Sequence, residues 1–401
     1  MTCDIAGGVA TIEATDTHGP PRNCAYPDIQ PEETDVSQHI FGADKFSLDT
    51  PILCIDLDVM ESNIEKMARY CREHGVDWRP HSKCHKTPAI AMRQIEAGAI
   101  GTTCPKTSEA EVMAQGGVRD ILIANMVVGE RKLERIAAMR RWADPIVACD
   151  HYAQVEPLAA VCRRRGVTVR VLIEVNIGLD RVGIRPGSDT LALAQAIDKL
   201  EGVELAGIMG YEGHLLTISD LSEKEEKIRT AMKVLVGCAE SIRAGGIACD
   251  IVSAGGTGSF HITAQCPGIT ELQAGGGIFM DPFYRNTCQV KDLEYALTVL
   301  ATVVSRPQLD RAVLDCGRKT MNPDIHMPVL AGDHDAEVVR LSAEHCELKL
   351  GDKSRGLQIG DKVELVVGYG DFTTVLHDEF FGFRKNQLET VWPILGRGKL
   401  Q

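Results

Sequence analysis

The chain has 401 residues, 44% apolar and 25% charged, ordinary globular values that allow a barrel with an appendage or two domains and argue against disorder. A formal net charge of −13 argues against nucleic acid or an anionic membrane as the main partner. No apolar run reaches the ~18 residues of a membrane span and no signal-like N-terminus is present, so a cytoplasmic location is expected, and the 14 scattered cysteines, with no Cys-x-x-Cys pair, fit reduced thiols.

Residues 1–48 carry Gly7-Gly8, Pro20-Pro21, Pro27 and Pro31 with little periodicity, and an irregular extension is expected there. Residues 49–57 read as a strand, leading into a helix with apolar spacing at Met60, Ile64, Met67 and Ala68. Strands are then expected near 77–83, 100–105, 120–125, 145–149, 168–175, 204–211, 249–254 and 271–279, with amphipathic helices such as 130–142 and 223–244 between them. Runs such as Val169-Arg170-Val171-Leu172-Ile173 suit strands covered on both faces. Regular βα repeats over 58–288 predict a (β/α)8 barrel, with an open doubly wound sheet as the alternative. Over 289–401 helical patterning is almost absent, and strands near 295–304, 312–315, 338–342, 346–349 and 362–367 predict a β-rich C-terminal domain.

The chemistry of such a barrel lies at the C-terminal ends of its strands. The first strand ends in Arg79-Pro80-His81-Ser82-Lys83-Cys84-His85-Lys86, just before a helix opening at Thr87-Pro88. Crowded cations disfavour a protonated lysine, so Lys83 is a Schiff-base candidate with His81 beside it; the bland alternative is a solvated basic loop. A zinc-protease helix is excluded, because the Glu between the histidines is missing and Pro80 opposes a helix. Other strand ends carry Asn176 to Gly183, Tyr211-Glu212-Gly213-His214, Gly255-Gly256-Thr257-Gly258-Ser259 and Gln273 to Gly277. The Gly255–Ser259 loop, taken alone, reads as a tight glycine turn or as an amide nest for a phosphate. It is no P-loop, since Gly-Lys-Ser/Thr is absent, and no dinucleotide fingerprint, since His261 stands at the third glycine position. A Schiff-base lysine beside a phosphate nest points to pyridoxal 5'-phosphate.

These motifs, with the Gly-x-x-Arg-x-Gly turn and Phe279-Met280-Asp281, resemble the D-threonine aldolase and D-serine dehydratase family of alanine-racemase-like pyridoxal-phosphate enzymes, over residues 50–384. The resemblance implies that Lys83 carries the cofactor, with Arg181 near its phenolic oxygen and Tyr211 near the pyridine nitrogen. Gly256, Thr257 and Gly258 would surround the phosphate, with Ser259 closing the nest. It also implies that residues 50–56 join the β-domain. Alternatives are a surface ion pair for Arg181, a core role for Tyr211 and a structural role for His214.

Members of the family hold a divalent ion (Mn, Mg or Zn) with a His-x-Asp or His-x-Cys pair near the C-terminus. Asp371 keeps its place here, but Tyr369 stands where the histidine belongs. A phenol is a poor ligand near neutral pH, so either His377 supplies the imidazole beside Asp371, or the metal is lost and Tyr369 serves as acid or base. The leading expectation is a lyase for a small β-hydroxy D-amino acid, aldolase-like because an Asp holds the second ligand position. A D-serine or 3-hydroxyaspartate dehydratase, a racemase and a non-catalytic cofactor carrier are the alternatives. A homodimer with sites capped across the interface is implied.

Overall fold

The computed structural model describes residues 41–401. The first strand, β1 (Ile52–Asp56), buries Leu53, Cys54 and Ile55, and ends at Asp56, whose carboxylate accepts the Val59 amide and starts α1 (Leu57–Glu73). Eight parallel strands follow: β2 (Asp77–Trp78), β3 (Thr102–Cys104), β4 (Asp120–Ile123), β5 (Asp144–Cys149), β6 (Val169–Glu174), β7 (Val203–Met209), β8 (Ile251–Ala254) and β9 (Glu271–Leu272). Between them lie α2 (Pro88–Glu96), α3 (Thr107–Gln115), α4 (Glu130–Met139), α5 (Tyr152–Arg165), α6 (Ser188–Ile197), α7 (Leu221–Ala244) and the single turn α8 (Phe260–Thr263).

The strands run in the order β2-β9-β8-β7-β6-β5-β4-β3. A bridge from His81 to Thr103 and the Thr103 amide on the Pro80 carbonyl at 2.9 Å close β2 against β3, giving the expected (β/α)8 barrel. The first and last barrel strands are far shorter than expected. Pro80, which has no amide N–H, and the Ser82–Cys84 turn end the first, and the Gly276–Ile278 turn follows the last. The Arg79 guanidinium turns into the barrel floor, donating to Glu271 at 2.8 Å and Asp120 at 2.6 Å, with Arg170 on the same Asp120 oxygen at 2.8 Å. Arg79 is 1% exposed, so it does not join the cations expected at the mouth. The helix place after β9 is taken by α1, whose buried Asn63 donates to the carbonyls of Ile278 at 3.1 Å and Glu294 at 2.7 Å.

The second sheet is nine-stranded. It contains β10 (Leu297–Gln308), β11 (Arg311–Leu314), β12 (Val329–Leu330), β13 (Ala336–Leu341), β14 (Cys346–Leu350), β15 (Lys362–Val366), β16 (Glu379–Arg384) and β17 (Gln387–Pro393), together with β1. Here β1 lies between β10, antiparallel, and β16, parallel. The strands β16 and β17 and a five-residue helix, α9 (Gly370–Thr374), are features the sequence pattern did not reveal. Residues 1–40 of the expected irregular extension lie outside the described residues. The rest of it is tied to the sheet by the Gly42 amide on the Leu388 carbonyl at 2.9 Å and by a Lys45–Glu364 pair at 3.0 Å. Among the described residues every cysteine is a buried free thiol, and no helix is long and apolar enough to cross a membrane.

Candidate active site

After β2 the chain makes a tight turn over Ser82–Cys84, opened by His81, whose Nδ1 accepts the Lys83 amide at 3.3 Å. The end of β9 runs flush against it: a Cβ on Gly275 would lie 2.1 Å from the His81 carbonyl oxygen, so only glycine fits. Three features face the turn inward. Ser82 donates to the buried Glu109 at 2.6 Å, and Lys86, at a φ of +52°, turns its amine onto the same carboxylate. His85 is buried and its imidazole is pushed down to about 3 by loss of solvent.

Of the two lysines of the turn, Lys83 is the one lining the cavity, and its charge state differs from the expected one. Its Nζ lies 3.3 Å from Asp371 Oδ2, and that carboxylate holds the ammonium well above its usual range. The neighbouring cations are withdrawn, since Arg79 and Lys86 are paired and His81 is held neutral by burial first and by Lys83 second. The electrostatics around Lys83 are therefore anionic, not cationic.

The cavity is about 390 Å³, lined by His81, Lys83, Arg181, Tyr211, Gly256 and Thr257 among others. Its glycine wall is built from behind by Glu212, fully buried at the end of β7. The Glu212 carboxylate accepts the hydroxyls of Ser259 and Thr263 at 2.6 Å each and the Gly255 amide at 3.3 Å. Ser259 was expected to close the nest toward a ligand; instead its hydroxyl is consumed by Glu212 and by the Gly256 amide at 3.1 Å. Gly258 packs on Leu216 and Cys288, outside the lining. The amides of Thr257, Gly258, Gly275 and Gly276 have no protein acceptor among the described residues. Side chains would crowd this wall: a Cβ on Gly256 would come within 3.0 Å of the Tyr211 ring, and one on Gly276 within 2.7 Å of Tyr284. Unpartnered amides beside a lysine, in a cradle that side chains would fill, fit pyridoxal phosphate.

Arg181 and Tyr211 both line the cavity, with the guanidinium 5.7 Å from the ring centroid. Arg181 also pairs with Glu174 at 3.5 Å, a buried carboxylate at the end of β6 whose proton is held tighter by burial. Sequence reasoning assigned no role to Glu174, to Tyr284, or to Glu212, although Glu212 stands inside the Tyr-Glu-Gly-His motif. His214 lies over the β6 loop, its Nε2 only 2.8 Å from where a Cβ on Gly178 would be.

The β-domain reaches this site within the same chain. Thr374 of α9 donates to the Cys84 carbonyl at 2.7 Å, docking the helix on the lysine turn. The Gly370 amide donates to Asp281 at 3.1 Å, which fixes the Tyr369–Asp371 segment from the barrel side. Tyr369 then donates its hydroxyl to Asp371 Oδ2 at 3.0 Å. The expected metal pair does not form: His377 directs Nε2 at the Thr320 carbonyl, 2.8 Å away, and no group of three or more His, Cys, Asp or Glu among the described residues is arranged to hold an ion. Burial raises the Tyr369 phenol far above its ordinary range, so it is a neutral donor and a poor ligand. The donor set does not fit a divalent ion.

Fold and site together describe a (β/α)8 barrel with a lysine and a row of amides without protein acceptors at its mouth. Residues 55–282 match the alanine racemase N-terminal domain, and residues 296–383 match the serine dehydratase domain. The chain is 35% identical to a D-threonine aldolase of Arthrobacter sp, over 88% of this chain and 93% of that one. It is 31% identical to a 3-hydroxy-D-aspartate aldolase of Paracoccus denitrificans, over 89% and 94%. The crystal structure of D-threonine aldolase from Filomicrobium marinum superposes with a TM-score of 0.87 at 35% identity, covering 90% of this chain and 99% of that one. The chain belongs to the D-threonine aldolase and D-serine dehydratase family of pyridoxal-phosphate enzymes with the alanine-racemase-like fold.

Proposed function

We propose that this chain is a pyridoxal-phosphate-dependent lyase that splits a β-hydroxy D-amino acid into glycine and an aldehyde. The observation that carries the reading is Lys83 at the barrel mouth, opposite amides without protein acceptors, in a chain 35% identical to a D-threonine aldolase. When bound, pyridoxal phosphate supplies an electron sink for charge left on the substrate's α-carbon. Lys83 would hold its aldehyde carbon, the amides of Thr257, Gly275 and Gly276 its phosphate, and Arg181 and Tyr211 its ring. Glu212 keeps the glycine wall in register, and Glu174 restrains Arg181. Lys83 and Asp371 hold a proton between them at the cavity, available to the α-carbon after cleavage.

Product analysis with D- and L-threonine, D-serine and 3-hydroxy-D-aspartate tests the reading. Glycine with an aldehyde, from the D-isomers alone, is the expected result; only enantiomer, or no product, sinks it. The match of residues 296–383 to the serine dehydratase domain supports a second reading, elimination of the β-hydroxyl, whose products are a 2-oxo acid and ammonia. The active species in our reading is a cytoplasmic homodimer. Val182 and Phe372 bear on this: one lines the cavity, the other packs on Tyr369, and both are exposed apolar side chains.

A further inference from the structure

The segment that meets Lys83 is organised around one carboxylate oxygen. Asp371 Oδ2 lies 3.3 Å from Lys83 Nζ and 3.0 Å from the Tyr369 hydroxyl, so lysine and phenol share it. The phenol is held rigidly: Phe283 meets its ring edge-on at 5.6 Å and 84°, and Phe372 does so at 5.1 Å and 89°. Tyr284, which lines the cavity, lies 6.1 Å away centroid to centroid. Two ligand candidates near this segment are already engaged. Asp281 spends its oxygens on the Tyr284 and Gly370 amides, and His377 is turned to Thr320. A catalytic zinc site takes about three protein ligands and a water, and a magnesium-type ion keeps several waters beside one or two carboxylates, so what tells against an ion here is Asp371 standing with a phenol in place of an imidazole.

We infer that this chain handles the substrate's β-hydroxyl without a divalent ion, by a phenol–carboxylate pair, Tyr369 backed by Asp371. The inference rests on the lyase reading above and says which groups perform its proton transfer. The β-hydroxyl donates to the Tyr369 oxygen while Tyr369 donates to Asp371. At cleavage the β O–H bond breaks, its proton passes to Tyr369, and the proton Tyr369 already carried passes to Asp371. The β-carbon–oxygen bond becomes a carbonyl as the Cα–Cβ bond breaks, and that electron pair is left on the α-carbon, where the bound cofactor would delocalise it. One proton later returns to the α-carbon, so glycine and aldehyde account for every atom of the substrate.

The test uses the cofactor-loaded protein. Manganese titration followed by electron paramagnetic resonance, with elemental analysis, should find no stoichiometric ion, and EDTA should leave the cleavage rate unchanged. Tyr369→Phe should lower kcat by about 10²–10⁴-fold, the contribution of one positioned acid–base group, while KM and the visible cofactor band stay close to wild type. A stoichiometric manganese or zinc site, or loss of cleavage in EDTA restored by added metal, overturns the inference, as does Tyr369→Phe at wild-type kcat with its band intact. If no β-hydroxy D-amino acid is cleaved with or without metal, the lyase reading fails, and the manganese titration still decides whether this site takes an ion.

Discussion

Lys83 shows how one residue's meaning depends on what surrounds it. The motif marks it, but its neighbours in sequence are turned away and its partner, Asp371, comes from the far end of the chain. Lys83→Ala is expected to abolish the visible absorption of bound pyridoxal phosphate; persistence of that band would move the attachment point to Lys86. Glu212 is the second residue whose role emerges only in three dimensions. Glu212→Ala leaves two hydroxyls and an amide without their acceptor, and orphaned buried polar groups cost about 1–3 kcal/mol each, so roughly 3 kcal/mol or more should be lost in urea unfolding. Cofactor affinity should fall with it. Lys83, Arg181 and Tyr211 were legible because each sits at a strand end within a recognisable motif. Arg79 and Ser259 were misread for a shared reason: sequence gives position along the chain but not which side of the wall a side chain faces.

Among the elements, the strands buried on both faces were the most legible, because short stretches such as Val169–Glu174, apolar at Val169, Val171, Leu172 and Ile173, suit a covered strand. The two-residue strands β2 and β9 were overdrawn, since tight turns over Ser82–Cys84 and Gly276–Ile278 occupy stretches that read as strand in the sequence. The short α9 had no periodicity to read, yet it docks on the lysine turn. Its docking runs through Asp281, whose carboxyl burial pushes up to about 7 while the amides of Tyr284 and Gly370 oppose the shift. A folded-state value above the unfolded one means the folded protein binds the extra proton. The stabilisation is complete below about pH 4 and is lost as pH rises through 7. Asp281→Asn should flatten that part of the stability–pH curve measured by chemical unfolding; an unchanged slope between pH 4 and 7 would remove Asp281 as its source.

For the whole molecule, light scattering should show a dimer at working concentration, and an active monomer would contradict the proposed assembly. The barrel floor bears on stability more than on activity: Arg79→Ala strands Glu271 without its partner, a change worth about 3–5 kcal/mol in buried ion pairs, and should lower the unfolding midpoint. The interleaved sheet has a different consequence, in the timing of synthesis. The strand β1 leaves the ribosome early, but its partners are residues 297–300 and 381–383. At roughly 5–20 residues per second it waits on the order of ten seconds to a minute for them, an apolar ribbon with both edges open. Nascent chains stalled before residue 379 should therefore present residues 52–56 to protease or chaperone, and full-length chains should not.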